Sequence, residues 1–135
     1  MPLLLEIVTP ERRVYSDTVD HIVVPTATGV VDILPSHIPI LSIVQPGKLK
    51  IGKDGGMVDM AVDRGFVEVS GNKVSVLVEA AINVEQIDES AADAARKAAE
   101  EALAKAREAG EDPLVIEELE TKARFAVIQK LIKNR

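Results

Sequence analysis

Apolar and polar residues alternate along three runs in the first part of the chain, and this pattern restricts the fold more than any other feature. The runs are 58–63, 66–70 and 74–79, and they are rich in valine. A period of two places one face of each strand in a core and the other in solvent. Turn sequences at 54–56 (Asp-Gly-Gly) and 70–73 (Ser-Gly-Asn-Lys) indicate hairpins. Eight or nine short strands separated by turns predict an antiparallel β-sandwich or barrel, not a parallel α/β sheet.

The second part of the chain follows a helical pattern. Seven of the eight glycines and six of the seven prolines precede it, whereas residues 90–109 contain ten alanines, the best helix former. Ser90 with Asp93 resembles a capping box, and Gly110 predicts the end of this helix. The Asp-Pro pair at 112–113 predicts the start of a second helix. The chain therefore divides into an N-terminal β-sandwich domain (1–86) and a C-terminal antiparallel two-helix hairpin domain (87–135).

The predicted contact faces of the two helices differ in residue size. In the first helix the seam comprises Ala91, Ala95, Ala98, Ala102 and Ala106. In the second helix the stripe comprises Leu119, Ala123, Val127 and Leu131, widened by Ile116, Ala126 and Ile128. Alanines bury little apolar area, so at about 25 cal/mol per Å² they hold a partner weakly. Two interpretations stay open: a permanent cap on the sandwich, or a hairpin whose docking is reversible.

The distribution of charge argues against one class of function and distinguishes the basic segment 122–135. Sixteen basic against 22 acidic residues give a net charge of −6, which argues against binding nucleic acid. Residues 108–120 hold six acids and no base, whereas 122–135 hold five bases, Arg135 included, and no acid. This order complements the helix dipole. It also suits docking of the basic end on an acidic surface of another protein. No apolar run reaches the length of a membrane span, and the acid at Glu6 argues against a signal peptide.

Residues that could support catalysis are few. The chain has no cysteine and two histidines, which excludes thiolate zinc sites and makes an all-imidazole metal site improbable. A hydrolase reading would use Ser36 and His37 with a carboxylate, but adjacent residues on a strand point to opposite faces. His21, with Asp20 beside it, fits a surface or packing role better than that of a general base. With no phosphate-binding loop either, the sequence favours a binding or coupling module over an enzyme.

The segment 29–41, Gly-Val-Val-Asp-Ile-Leu-Pro-Ser-His-Ile-Pro-Ile-Leu, resembles the G-x-x-G-I-L-P-x-H-x-P-L signature of the epsilon subunits of F-type ATP synthases. Supporting matches lie at 7–10, at 62–69, where the family has G-G-F-x-E-V, and at 74–81. The resemblance covers about the whole chain in the right order. Asp32 and Arg64 replace glycines of the family pattern, which indicates altered loops within the same fold.

The resemblance implies a non-catalytic rotor subunit with no cofactor: a sandwich of about ten strands between the gamma subunit and the ring of c subunits, and a hairpin that restrains ATP hydrolysis when extended. The gamma and c-ring contacts would be Thr28, Gly29, Val30, Val31 and His37. The contacts to an acidic segment of the beta subunit would be Lys122, Arg124, Lys130 and Lys133. The implied location is the cytoplasmic face of a bacterial plasma membrane, reached only through the complex, in preference to a thylakoid membrane.

Some bacterial members of the family hold ATP between the helices through an I-D-x-x-R-A motif. This chain retains Ile87 and Asp88 but has Ala91 in place of the arginine, and Ala98 stands where a further arginine would help. Binding of ATP is therefore expected to be weak or absent. Apart from the resemblance, a free-standing sandwich adaptor or carrier with a helical protein-interaction tail would also explain the charge and the missing active site.

Overall fold

A computed structural model describes residues 2–134 as ten β-strands followed by two α-helices. The strands are β1 (Leu3–Val8), β2 (Arg13–Val19), β3 (His21–Thr26), β4 (Gly29–Ile33), β5 (Ile40–Val44), β6 (Gly47–Lys53), β7 (Gly56–Val62), β8 (Gly65–Ser70), β9 (Lys73–Val78) and β10 (Ala81–Asn83). The helices are α1 (Glu89–Glu108) and α2 (Pro113–Lys133). The predicted fold class, a sandwich or barrel of about ten short strands followed by two helices, is confirmed.

The ten strands form one sheet in the order β10-β7-β6-β3-β5-β8-β9-β1-β2, with β4 paired to β3. All pairs are antiparallel except β1 with β9, where Leu4 lies opposite Lys73. The expectation of a purely antiparallel sheet was therefore wrong at this pair: the first strand joins the sheet beside a strand far away in the chain. The sheet also folds back on itself. A contact between strands far apart in the sheet order shows this: the ammonium of Lys53 on β6 donates to the carboxylate of Asp17 on the terminal strand β2.

The interior of the sheet is filled by one face of each strand. On β1, Leu3, Leu5 and Ile7 are fully buried while Leu4 is exposed, and β8 and β9 show the same alternation. Seventeen buried hydrophobic side chains form one continuous cluster, all of them from the strands. The strands therefore supply their own core, as the period of two requires.

Both predicted hairpin turns are present, each with a backbone that favours glycine or aspartate. The β6–β7 turn has positive φ at Asp54 (52°) and Gly55 (78°), and the β8–β9 turn has it at Gly71 (62°). A φ in this range is costly for most L-residues and is tolerated best by Gly, Asn and Asp. These turns set the register of the two hairpins.

Gly65, at the start of β8, is required by close approach of two backbones. A Cβ built there would lie 1.9 Å from the carbonyl oxygen of Leu77 and 2.7 Å from the Cα of Val78. Because the neighbouring atoms are backbone, we expect Gly65→Ala to lower the free energy of unfolding by about 1–3 kcal/mol. Urea unfolding of the full chain measures this.

Gly56→Ala is the matched control for that substitution. Gly56 also begins a strand, but a Cβ there meets only Lys53 O at an ordinary 3.6 Å. Its expected change is within about 0.5 kcal/mol. Equal stabilities of the two variants would contradict the steric explanation.

The two helices begin and end close to the predicted positions, with one change at the first cap. The N-cap of α1 is Asp88, whose side chain accepts from Ala91 N at 3.1 Å, so Ser90 lies inside the helix and the prediction of Ser90 as the cap was wrong. Aspartate two residues upstream offers the same acceptor and has the extended backbone that a cap needs. Gly110, with φ of 64°, follows the end of α1, and Asp112 caps α2 ahead of Pro113.

The face by which α1 is buried differs from the predicted seam. The buried alanines are Ala92, Ala99 and Ala106, spaced by seven, whereas Ala91, Ala95 and Ala98 are exposed. On α2, Ala126 and Ile132 are buried, but Val127 and Leu131, predicted in the stripe, are exposed. A helix with nine alanines carries several equivalent stripes, so alanine spacing alone does not determine which stripe is buried; the predicted seam and the buried set share only Ala106.

The chain contacts divide into two compact units, with the boundary between Glu85 and Gln86. The β unit contains all ten strands, and the hairpin unit contains both helices.

Candidate functional site

The segment Thr28, Gly29, Val30 and Val31 forms the β3–β4 turn and the start of β4. The turn is fixed by Thr26, a buried threonine whose hydroxyl lies 2.5 Å from Gly29 O and 3.3 Å from Thr28 Oγ1. Gly29 has φ of 122°, which only glycine adopts readily, and Val31 packs against the core. Val30 is left 72% exposed. This turn therefore presents an apolar tip on a rigid base.

His37 lies in the connection between β4 and β5, directly after a tight turn. His37 N donates to Leu34 O at 3.1 Å, with Pro35 and Ser36 in the two central positions. Ser36 has φ of 66°, as the third residue of a type II turn requires, and its amide donates to Asn72 Oδ1 at 3.2 Å. Ser36 and His37 therefore lie in a turn, and the prediction that they lie on a strand was wrong.

The imidazole of His37 is half-buried, and its Nδ1 donates to the carbonyl oxygen of Ile38 at 2.7 Å. That nitrogen is therefore unable to take a proton from Ser36. Leu34 and Ile38 on either side are exposed, Ile38 to 72%. The His37 turn thus carries exposed apolar side chains next to a histidine with one nitrogen held by the backbone.

The β3–β4 turn and the His37 turn do not come together. They lie at opposite ends of β4, which has five residues and spans about 16 Å at roughly 3.3 Å per residue. The five residues grouped from the sequence as one interface, Thr28 to Val31 with His37, thus occupy two separate positions on the β unit.

A row of apolar side chains on the outer surface of the sheet was missed by the sequence reasoning. In the register, Ile43 on β5 lies opposite Phe66 on β8, Phe66 opposite Leu77 on β9, and Leu77 opposite Val8 on β1. Ile43, Phe66 and Leu77 are each more than half exposed, and Val8 is half-buried. We call these four residues the outer apolar row. The signal for it was present, since 66–67 and 76–78 are unbroken apolar runs within otherwise alternating strands.

The four residues of the outer apolar row line an open groove on the surface of the β unit. Thr9 and Pro10 of the β1–β2 turn also line this groove, together with Arg64 and Glu79. The guanidinium Nε of Arg64 lies 3.2 Å from Glu79 Oε1, which places a charged pair at its edge. An apolar centre with a polar edge is the usual anatomy of a protein–protein interface.

The second histidine has an acidic partner that the sequence did not indicate. His21 Nδ1 lies 3.0 Å from Asp32 Oδ1 on the neighbouring strand β4, whereas Asp20 accepts from the backbone amide of Asp54. The ring covers Gly52, where a Cβ would lie 2.2 Å from two ring atoms. His21 is thus a packed residue in a cross-strand contact. Among residues 2–134, no three His, Cys, Asp or Glu side chains are grouped so that they could hold a metal ion.

The four basic residues singled out on α2 do not share one face. At 100° per residue, Lys122, Lys130 and Lys133 fall within an arc of about 80°, and Arg124 lies at least about 120° from each of them. Lys122 and Lys133 are exposed, and Arg124 and Lys130 are half-buried. Arg135 lies outside the described residues. The three lysines can therefore meet one surface together, and Arg124 cannot join them on a straight helix.

Lys130 has a partner within the hairpin. Its Nζ donates to Asp93 Oδ1 on α1 at 2.9 Å, and this hydrogen bond holds the pKa of Asp93 below its usual value. A second pair, Arg107 with Glu120 at 3.1 Å, also joins the two helices. The Asp93 carboxylate is thus ionised throughout the neutral range, and its favourable contact is lost only as the pH falls through its lowered pKa.

Ile87 and Asp88 occupy the junction before α1. Ile87 is buried to 95% and Asp88 caps the helix, whereas Ala91 and Ala98 are exposed. The two retained residues of the nucleotide motif thus have structural roles of their own.

Comparisons with known proteins agree with this architecture. Residues 2–84 match the family model for the β-sandwich domain of the ATP synthase delta/epsilon chain. The ATP synthase epsilon chain of Herpetosiphon aurantiacus is 45% identical over 103 residues, which is 76% of each chain. The epsilon chain of a Roseiflexus species is 50% identical over 95 residues, covering 70% of this chain and 68% of the relative.

A solved structure shows the same fold at low sequence identity. A chain in the OSCP/F1/c-ring structure of Euglena gracilis mitochondrial ATP synthase aligns with a TM-score of 0.64 and 22% identity, over 96% of this chain and 79% of that one. Neither α1 nor α2, the helices within residues 2–134, has the length and apolar character to cross a membrane. From the family match and the two relatives, we conclude that the chain belongs to the ATP synthase epsilon chain family, whose members are non-catalytic subunits of a membrane-associated complex.

Proposed function

We propose that this chain is a rotor subunit of the central stalk, which links gamma to the ring of c subunits during ion-driven ATP synthesis. In the same proposal its hairpin restrains ATP hydrolysis. The observation that carries the proposal is the outer apolar row, because three side chains more than half exposed in one line across three adjacent strands are better suited to a partner than to water.

The gamma contact is assigned to the outer apolar row and the His37 turn. Leu41, 71% exposed and two residues before Ile43 on β5, continues the apolar surface from the row toward His37. Large apolar anchors at the centre of an interface usually supply most of its binding energy. Phe66 and Leu77, in the middle of the row, are the expected anchors.

The c-ring contact is assigned to the β3–β4 turn. This turn lies at the other end of β4 from His37, so one β unit can touch two partners at once. Val30 makes the tip apolar, and the bonds from Thr26 keep its backbone in place. A stiff connection suits a part that has to transmit torque. Contact with the c-ring would hold the chain at the cytoplasmic face of a bacterial plasma membrane.

The regulatory contact is assigned to the basic residues of α2. Lys122, Lys130 and Lys133 lie on one side of the helix and could face an acidic segment of the beta subunit when the hairpin is extended. Arg124 lies on another side, so we expect it to contribute less than any of these lysines.

Reversal of the basic residues tests the regulatory proposal. We expect the quadruple change of Lys122, Arg124, Lys130 and Lys133 to Glu to relieve inhibition of ATP hydrolysis in the reconstituted complex and to leave assembly intact. Inhibition by the unmodified chain should weaken with added salt, because exposed charges are screened within about 8–10 Å. Steady-state hydrolysis with and without salt measures both effects.

A smaller matched comparison tests whether the position of the reversed lysines matters, and not only the change in net charge. Lys122→Glu with Lys133→Glu reverses two exposed lysines of α2, and Lys97→Glu with Lys105→Glu reverses two exposed lysines of α1. The α2 pair should relieve inhibition and the α1 pair should not. Unchanged hydrolysis in the quadruple variant would mean that packing, and not charge, holds the inhibitory state.

A further inference from the structure

The two ion pairs between α1 and α2 hold different ends of the hairpin. Arg107 and Glu120 lie toward the connecting residues 109–112, where the chain already joins the helices. Asp93 and Lys130 lie near the start of α1 and the end of α2, which we call the free end. Because no covalent link holds the free end, the pair there has more influence on whether the helices separate.

The fully buried side chains of the two helices are few and mostly small, which makes this polar pair important. The buried residues of α1 are three alanines, and the buried residues of α2 are Ala126 and Ile132. Each buried alanine contributes a single methyl group, so a shift of a few fold from one ion pair can change the population of an open state.

We propose that Asp93 is an internal competitor for Lys130: the closed hairpin occupies this lysine, and opening releases it to an acidic surface of a partner protein. The proposal rests on the regulatory function proposed above and names the residue that controls it. The Nζ of Lys130 is 2.9 Å from Asp93 Oδ1, so a carboxylate of another protein cannot take the same place while this contact persists.

The surroundings of Asp93 allow this exchange without leaving its charge isolated. The pKa of Asp93 is lowered mainly by Lys130, but also by the nearby positive charges of Arg96 and Lys97. When Lys130 leaves, those two groups remain on the same helix as Asp93. Both partners of the pair are also about 40% exposed, so neither becomes a buried charge on opening. The Asp93–Lys130 contact is therefore strong enough to favour the closed hairpin and weak enough to be exchanged for a contact with a partner protein.

The free end can be followed by a distance measurement, because the chain has no cysteine of its own. Spin labels on Ser90→Cys and Asn134→Cys mark the start of α1 and the end of α2 in the full chain. Three variants are compared with the parent: Asp93→Asn, Lys130→Gln, and the exchange Asp93→Lys with Lys130→Asp. Inhibition of hydrolysis is measured for the same variants, unlabelled and in the reconstituted complex.

We expect Asp93→Asn to raise the open population about 1.5- to 5-fold, the effect of one exposed ion pair, and to strengthen inhibition by a similar factor. Lys130→Gln should open the hairpin to the same extent without strengthening inhibition. The exchange variant should close the free end again but inhibit poorly, because an acid now stands at position 130. Glu120→Gln is the control: it breaks the other pair and should move the free end less than Asp93→Asn does.

Three results would overturn the proposal: unchanged label distances in Asp93→Asn, equal opening in Glu120→Gln, or opening in Asp93→Asn with unchanged inhibition. In the last case the quadruple reversal on α2 decides what has failed. If it still relieves inhibition, the regulatory function stands and only the competition by Asp93 is excluded. If it does not, charge on α2 does not hold the inhibitory state, and an acidic partner for Lys130 is excluded together with the competition.

Discussion

The double substitution Phe66→Glu with Leu77→Glu is expected to weaken the binding of this chain to a purified gamma subunit by at least about 100-fold. The two side chains stand opposite each other in the centre of the outer apolar row and are 55% and 51% exposed. Replacement removes apolar area and places two charges where a partner would desolvate them, at a cost of roughly 2 kcal/mol or more for an interface anchor. Titration calorimetry measures the dissociation constant.

Met57→Glu is the matched control for this experiment. Met57 is another apolar residue of the β unit with an exposed fraction of 51%, but it lies on β7, outside the row. It should leave gamma binding within about twofold. Loss of binding in the control, or retained binding in the double variant, would place the gamma contact elsewhere on the β unit.

The isolated chain is expected to bind ATP about two to four powers of ten more weakly than epsilon chains that have both the arginine of the nucleotide motif and the further arginine. Positions 91 and 98 are alanines here, and each charge-assisted hydrogen bond to phosphate is worth roughly 1.5–3 kcal/mol. At 1.4 kcal/mol per power of ten, the loss of two such bonds gives this range. Titration of the full chain with magnesium-free ATP measures the affinity.

Restoring the arginine tests the same prediction in the other direction. Ala91→Arg should tighten ATP binding measurably, because Ala91 is exposed in the first turn of α1 and has room for a longer side chain. Ala94→Arg, at a neighbouring exposed position, should not. A low micromolar dissociation constant for the unmodified chain would show that other basic residues replace the missing arginines.

The architecture was predictable because local signals agreed with one another. Alternation in 66–70 and 74–79 identified two strands and their inward faces, and the turn at 70–73 joined them as a hairpin. Gly110 and Asp112 likewise ended one helix and began the next. These features depend on a residue and its close neighbours in sequence, which is the information that a single chain contains.

The errors and omissions arose where the answer depends on distant parts of the chain. Alanine at nearly every other position of α1 leaves its contact face undetermined until the second helix is placed against it. The acid paired with His21 is Asp32, and it became visible only when β4 was aligned beside β3. The outer apolar row needs the registers of four strands, two of them distant in sequence. Candidate binding residues were therefore harder to predict than the fold that carries them.

The parallel pairing of β1 with β9 has a consequence for how the β unit forms. Leu4 and Lys73 are partners across about 70 positions of the chain, so the first strand cannot join the sheet until the ninth has been synthesised. Contacts of such long range slow folding, because the chain loses the entropy of loop closure before any favourable contact forms. On the ribosome, β1 and β2 would thus remain a two-stranded hairpin, with the edge of β1 that later pairs with β9 still unpaired, while seven further strands emerge. The order of synthesis makes the β1–β2 hairpin one of the last parts of the β unit to be fixed in the sheet, although its strands precede the others in the sequence.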